Sequence, residues 1–297
     1  MLSILIPAYN YDCTLLVKDL HKQVIECKIP FEIIVAEDGS TKFTSENQQI
    51  TTLIYCKHIV LQQNIGRAAI RNFLAKEAKF ENLLFIDCDS KIVSDTYIKT
   101  YVTHFGKIVL GGRIYNKPSS KNHTLLPKYG AREKIGKEQE GKIFTSPNFL
   151  IPKQIFDIVR FDENITQYGH EDTLFGCALH HNGFKFLLID NPILHDSIED
   201  NITFLHKTEL SINNLLLLIK RTDDKELQKI SKLYRCYQKL HTIKLTSAIS
   251  TLFISTREFL QKQLCSSTPS LFLFNLYKIG YLCHIASKSQ DFLTENV

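Results

Sequence analysis

Apolar and polar residues alternate along the first 200 positions in a strand–helix rhythm. Residues 2–7 form a short apolar run, the length of one buried strand. Within residues 12–26, Leu16, Leu20 and Val24 recur at every fourth position, the stripe of a helix. Residues 31–35 predict a second strand, residues 58–61 a third and residues 83–86 a fourth. An Ala- and Arg-rich stretch at 66–79 predicts the helix between the last two. Such a β-α-β-α-β order predicts an α/β fold with a mostly parallel sheet flanked by helices. Ligands in such sheets bind beyond the carboxyl ends of the strands. Polar clusters fall at those ends: Ala8-Tyr9-Asn10, Glu37-Asp38-Gly39-Ser40, Gln63-Asn64-Ile65-Gly66 and Asp87-Cys88-Asp89. Their shared position is hard to explain as unrelated turns.

After about residue 205 the strand-like runs stop. Residues 210–219, 225–240, 247–264 and 270–287 carry helical spacing instead. The expected organisation is one α/β domain over 1–204 and a helical C-terminal region over 205–297. Residues 270–282 are rich in aromatics. Two readings stand: packing against the main domain or a second subunit, as in a homodimer, or interfacial contact with a membrane helped by nearby Lys and Arg. Residues 118–141 are polar and charged and predict a mobile loop with a short helix, either a solvated connector or a lid over an acceptor.

The chain has 297 residues and a net charge of +5, with 36 Lys and Arg against 31 Asp and Glu. That mild excess fits anionic small molecules or an anionic membrane surface and demands neither. The eight cysteines are scattered, without a C-x-x-C pair. Their spacing argues against a zinc ribbon and a disulfide framework and for reduced thiols. The apolar start lacks a basic leader and is too short for a signal peptide. No run of 18 apolar residues occurs, so no transmembrane helix is expected. Basic residues are not concentrated and interleaved with aromatics, which disfavours nucleic acid as a partner.

Two acidic motifs carry candidate chemistry. Asp87 and Asp89, at i and i+2 after a buried strand, can reach one hard cation and the phosphates it holds. Read alone, such a pair is also a common solvated turn or helix cap. Glu171-Asp172 precedes the apolar stretch Leu174-Phe175-Gly176-Cys177-Ala178-Leu179. One of these carboxylates can be a plain helix N-cap.

The strings Ile4-Leu5-Ile6-Pro7-Ala8-Tyr9-Asn10, Ile33-Ile34-Val35-Ala36-Glu37-Asp38-Gly39-Ser40, Asn64-Ile65-Gly66-Arg67-Ala68-Ala69-Ile70-Arg71-Asn72 and Phe85-Ile86-Asp87-Cys88-Asp89 resemble the family 2 glycosyltransferases with the GT-A fold. Order and spacing both match, over roughly residues 1–200. Ser146-Pro147-Asn148-Phe149-Leu150-Ile151 and Gly169-His170-Glu171-Asp172-Thr173-Leu174-Phe175-Gly176 extend the likeness, toward the galactosyltransferase-type half of chondroitin polymerases. The helical tail lies outside it.

The resemblance implies an inverting, metal-dependent transfer from a nucleotide-diphosphate sugar, a UDP-sugar by family habit. The acceptor would be a glycan or lipid-linked saccharide hydroxyl. Asp172 takes the role of general base and Glu171 that of a contact to acceptor hydroxyls. Asp89 becomes the direct ligand of Mn²⁺ or Mg²⁺, with Asp87 supporting the metal or holding the ribose. His195 is the candidate third ligand and His206 its competitor. Pro7, Ala8 and Tyr9 are expected to line the base pocket, and Asp38 to accept hydrogen bonds from the base. Arg71 is expected to reach the base or the diphosphate, or to form a surface ion pair. Asn64 and Gly66 shape the turn into the helix. Glu37 replaces a commoner Asp, and Cys88 departs from the commoner middle residues, its side chain packing away from the site. The implied setting is surface-polysaccharide or lipid-linked glycan synthesis in the cytoplasm, at most peripheral at the inner membrane face. Two rivals remain. A sugar-phosphate nucleotidyltransferase would carry a Gly-rich loop where this chain has Pro7-Ala8-Tyr9-Asn10. A non-catalytic nucleotide-sugar-binding subunit would not need Asp87, Asp89 and Asp172.

Overall fold

The computed structural model describes residues 1–118, 120–130, 139–141, 143–165, 168–221 and 231–294. Its strands are β1 Leu2–Ala8, β2 Phe31–Glu37, β3 Cys56–Val60, β4 Asn82–Ile86, β5 Ser90–Ile92, β6 Ile108–Leu110, β7 Arg113–Tyr115, β8 Gln139–Glu140, β9 Asn148–Pro152, β10 Phe186–Leu188 and β11 Ile193–His195. The helices are α1 Thr14–Glu26, α2 Thr44–Gln48, α3 Arg67–Glu77, α4 Tyr97–Val102, α5 Leu125–Gly130, α6 Lys153–Val159, α7 Glu171–His181, α8 Asn201–Arg221, α9 Lys232–Thr242, α10 Thr246–Leu264 and α11 Leu271–Thr294.

An eight-stranded sheet runs in the order β3-β2-β1-β4-β9-β6-β10-β8, and a three-stranded sheet in the order β5-β11-β7. From β3 to β4 every pairing is parallel, as expected. Then β9 runs against both β4 and β6. Alternate side chains of the parallel strands go to opposite faces. Ile4, Ile6, Ile33, Val35 and Leu84 pack with Leu16, Val17, Leu20 and Val24 of α1. Leu5, Ile34, Ala36, Leu83 and Phe85 pack with Ala68, Ile70 and Leu74 of α3. Because both faces are covered, these strands read as continuous apolar runs rather than alternating ones.

The chain divides into two compact units. The first comprises Met1–Asn116, Glu133–Thr166 and Glu171–Ser197 and holds both sheets. The second comprises Lys117–Arg132, Gln167–His170 and Ile198–Val297 and is helical. Within it α8 starts at Asn201, nine positions before the expected helix. The Asn201 carboxamide oxygen accepts from the Thr124 and Leu125 amides, at 2.9 and 2.8 Å, and so caps α5. That helix is a short one within residues 118–141, as the expected loop with a short helix allows, and residues 131–138 lie outside the described residues. Of the helix expected over 225–240, the structure describes the part from Lys232 onward. The aromatic run of α11 is mostly core: Phe274 and Tyr277 are buried with Leu205, Phe253 and Leu264. All eight cysteines are free.

Candidate active site

Every residue of the candidate site lies in the first unit, where β1, β2 and β4 end. Pro7 and Ala8 close β1, and Tyr9 beyond them is 55% exposed. At the end of β2 two carboxylates are buried, and both are fully engaged. Glu37 accepts from Asn47 Nδ2 at 3.1 Å and Thr44 Oγ1 at 3.0 Å, and lies 2.8 Å from His58 Nε2. Burial alone would raise its pKa; hydrogen bonds from Asn47, Ser40, His58 and Thr44 outweigh that and hold it below the usual glutamate range. Asp38 accepts from the Ile65 amide at 2.6 Å with Oδ1 and from the Gly66 amide at 3.0 Å with Oδ2. Asn64 Nδ2 donates to the Asp38 carbonyl at 3.1 Å. The residue expected to read the base is therefore also the clasp that holds residues 63–66 against β2.

Gly39 makes this clasp feasible. Its φ is +68°, and a Cβ there would stand 2.5 Å from the Asn64 amide nitrogen. Only a residue without a side chain tolerates both the conformation and the approach. Gly66, with φ of +92°, turns the chain into α3. The first turn of α3 brings Arg67 to the site and the second brings Arg71.

Arg71 is buried, and its Nη2 donates to Asp87 Oδ1 at 2.7 Å. Its Nη1 donates to the Arg67 carbonyl at 3.1 Å, and its guanidinium stands over the Phe161 ring. The surface ion pair expected as one alternative for Arg71 is not found: its ion pair is buried in the site, and Asp87 is the partner. Burial pushes the Asp87 carboxyl up; Arg71 pulls it down, while Asp89 and Asp172 push it up again, and the net direction is upward. Cys88, between the two aspartates, packs against the core beneath β1, and burial raises its thiol pKa.

Asp89 turns the other way. Its Oδ1 lies 3.4 Å from His195 Nδ1, and both side chains are partly exposed. The pairing of β11 with β5 sets this approach, because His195 pairs with Ser90 and the Asp196 amide donates to the Asp89 carbonyl at 2.9 Å. His206, the competing histidine, lies on α8 in the helical unit. Among the described residues no group of three His, Cys, Asp or Glu could hold a metal on its own. A carboxylate and an imidazole 3.4 Å apart and open to solvent nevertheless suit a divalent cation such as Mn²⁺, whose oxygen-rich shell a carboxylate anchors. Metals that act on phosphates commonly take one or two protein ligands and complete the shell with phosphate and water. The donor set fits such an ion.

Glu171 and Asp172 form the first turn of α7. Glu171 is buried, with Oε1 3.8 Å from Arg67 Nη1. Asp172 Oδ2 accepts from the Ser146 amide at 3.1 Å. Its Oδ1 is buried with no hydrogen-bond partner among the described residues. Burial, then the charge of Glu171, raises the Asp172 pKa, with Arg71 pulling against them. A buried carboxylate oxygen without a donor is costly and rare, and marks a place where a proton or a donor hydroxyl belongs.

Sequence reasoning missed what ties these groups together. Asn148 Oδ1 accepts from the Tyr97 and Tyr101 hydroxyls, both at 2.6 Å. Asn148 Nδ2 donates to the carbonyls of Gly112 at 2.9 Å and Asn191 at 3.0 Å. The carboxamide is saturated. Two residues upstream, the Ser146 amide meets Asp172, and the Pro147 carbonyl accepts from the Asp87 amide at 2.9 Å. One anchored segment therefore bridges the metal-side and base-side carboxylates. The Tyr97/Tyr101 pair at helical spacing was its visible signal. Tyr11 was also missed: burial and then Asp196 raise its pKa, and Ser197 hydrogen-bonds to it, which sets it beside Asp89 and His195. Tyr115, whose ring is 5.5 Å from that of His195, flanks the same spot.

Comparison with known proteins shows what the chain is similar to. An uncharacterized glycosyltransferase, YfnE of Bacillus subtilis, is 26% identical over 246 residues, 63% of this chain and 62% of its own length. Chondroitin synthase of Escherichia coli is 24% identical over 65% of this chain and 34% of its length. Validoxylamine A glucosyltransferase of Streptomyces hygroscopicus is 27% identical over 62% of this chain and 48% of its length. The chain thus spans less than two thirds of each of these relatives. Among solved structures, the mannosyltransferase PcManGT of Pyrobaculum calidifontis, in complex with GDP-Man and Mn²⁺, superposes with a TM-score of 0.59 at 12% identity, over 97% of this chain and 86% of its own. TarS of S. aureus gives 0.53 at 18% identity, over 97% and 52%. At such identity the superpositions speak for the fold alone. The glycosyl transferase family 2 profile matches residues 3–160, the span that holds β1 to β9 and all the strand-end clusters. The chain belongs to glycosyl transferase family 2 and has the GT-A fold.

Proposed function

We propose that this chain is an inverting, metal-dependent glycosyltransferase, with a UDP-sugar as donor and a glycan or lipid-linked saccharide hydroxyl as acceptor. The single observation that carries the reading is Asp172 Oδ1, a buried carboxylate oxygen with no hydrogen-bond partner among the described residues, within electrostatic reach of the Arg71–Asp87 pair. In the proposed step the acceptor oxygen attacks the anomeric carbon as the bond from that carbon to the diphosphate oxygen breaks. The acceptor proton passes to Asp172, and the nucleoside diphosphate leaves with the bonding pair. A raised carboxylate pKa makes Asp172 a better proton acceptor than an exposed aspartate. Glu171, braced by Arg67, faces acceptor hydroxyls. Asp89 and His195 would hold Mn²⁺ or Mg²⁺, which when bound neutralises charge growing on the departing diphosphate. Arg71 fixes Asp87 on the ribose side, and Tyr9 offers a ring to the base.

The names of the relatives support transfer of a sugar, and the GDP-Man and Mn²⁺ in the Pyrobaculum structure support a nucleotide-sugar donor with a divalent cation. Thermal melting against a panel of UDP- and GDP-sugars with Mn²⁺ tests the reading, because a ligand that binds only the folded chain raises its Tm. A shift with a UDP-sugar, accompanied by Mn²⁺-dependent transfer or slow hydrolysis, is expected. No shift with any nucleotide sugar would overturn it. Binding without turnover would point to the non-catalytic subunit, and pyrophosphate release from NTP and sugar phosphate to the nucleotidyltransferase.

A further inference from the structure

The helical unit carries a surface whose chemistry is separate from the carboxylate clusters of the first unit. Most of its apolar residues are core, yet several large ones face water. Leu245, Leu252 and Phe259 stand seven residues apart, two helical turns, in one row along α10. Leu252 is 58% and Phe259 66% exposed. On α11, Phe272, 70% exposed, and Leu276 stand four apart in a second row.

Both rows face away from α8. Arg257 of α10 pairs with Glu209 of α8 at 2.9 Å, and at about 100° per residue Leu252 and Phe259 project on the opposite flank. Tyr281 and Ile285 of α11 pack beside Ile212 and Leu215 of α8. Phe272 and Leu276 each precede one of them by nine residues, roughly half a rotation. The α10–α11 hairpin therefore presents an apolar outer face.

The charge of this region is basic on balance, with ten Lys and Arg against six Asp and Glu over residues 222–297. Residues 231–294 hold eight Lys and Arg against Glu258 and Asp291 alone. On α9, Lys232, Arg235 and Lys239 recur at i, i+3 and i+7 and are all exposed, and the helix has no acidic residue. Among the described residues no helix is long and apolar enough to cross a membrane. Exposed aromatic and aliphatic rows beside a helix that carries exposed cations and no acidic residue match the chemistry of an anionic lipid surface, with rings at the headgroup boundary and cations on the lipid charges.

We propose that α9–α11 dock on an anionic membrane surface, lying on it rather than crossing it. The test is co-sedimentation of the full chain with vesicles of pure phosphatidylcholine or of phosphatidylcholine with 30% phosphatidylglycerol (about that fraction supplies a lipid surface charge). No nucleotide sugar is added, so failure here leaves the sugar-transfer reading untouched. Binding to the anionic vesicles is expected, weakening as salt rises, with little binding to the neutral ones. Replacing Lys232, Arg235 and Lys239 with Gln should weaken it by roughly 100-fold, since each charge near such a surface contributes about fivefold. The Phe259→Ser/Phe272→Ser variant should lose binding too. All five side chains are exposed, and an unchanged melting curve confirms that each variant folds. No binding to anionic vesicles, equal binding to both kinds, or binding intact in both variants would overturn the proposal. So would a dimer that the Phe259→Ser/Phe272→Ser variant dissociates while the wild type ignores vesicles, since the face would then be a subunit interface.

Discussion

Two acidic clusters end the strands on either side of β1 and differ in how their carboxylates are hydrogen-bonded. At the end of β2, each oxygen of Asp38 accepts a backbone amide, and Glu37 is ringed by Asn47, Thr44 and His58. At the end of β4 and the start of α7, Asp89 faces His195 at 3.4 Å, and Asp172 keeps one buried oxygen without a hydrogen-bond partner among the described residues. Satisfied carboxylates hold a fold in place, while a buried unsatisfied one is tolerated where it has chemistry to do. The first cluster clasps residues 63–66 against β2; in the proposed reading the second is left for metal, donor and acceptor.

The comparison breaks most visibly at Asp172. Asp172→Asn should lower kcat by about 10²–10⁴-fold, the usual weight of a general base, in initial rates at saturating donor. The pH profile sharpens the same point. The base works only when ionised, and its pKa is raised in the folded protein. The acid limb of kcat should therefore fall away above the ordinary aspartate value of about 3.9, as pH drops through the raised value. Asn148→Ala comes next. It removes four hydrogen bonds from the segment between Asp87 and Asp172. The expected cost is about 2–4 kcal/mol, read as a lower Tm, with turnover falling as well. Asp89→Asn should weaken the Mn²⁺ response by at least about 10-fold, with melting in metal-free buffer unchanged; a metal titration followed by thermal shift checks this.

The smallest effect belongs to the satisfied cluster. Glu37→Gln should cost about 1–3 kcal/mol of stability near neutral pH and leave kcat close to wild type. The native pKa of Glu37 is lowered, so its contribution is present above the unfolded value of about 4.3 and is lost as pH falls toward the native value. The Tm gap between wild type and variant should therefore close in acid. A gap that widened instead would mean that Glu37 is protonated in the native protein.

The parts of this picture that the chain spells out locally were legible in it. The β1–β4 strands and the α1 and α3 helices are long enough for their apolar period to show. The three-residue strands β5, β6, β7, β10 and β11 are too short for any period, and β9 reverses the sheet without a local signal for its direction. Asp89, His195 and Asp172 came from a family likeness, and the structure sets Asp89 beside His195. The Arg71–Asp87 pair and the saturated Asn148 depend on partners 16 and about 50 residues away, which no local pattern records. The basic row of α9 was equally readable, but the side of the hairpin left uncovered is decided by what packs on α8.

The central claim is that Asp172 serves the acceptor and the proton, not the donor. Calorimetric titration of the Asp172→Asn variant with the donor and Mn²⁺ tests it most directly. The account predicts a Kd within about threefold of wild type, well under 1 kcal/mol, alongside the lost turnover. A Kd weakened in proportion to the loss of kcat would contradict it and make Asp172 a donor ligand.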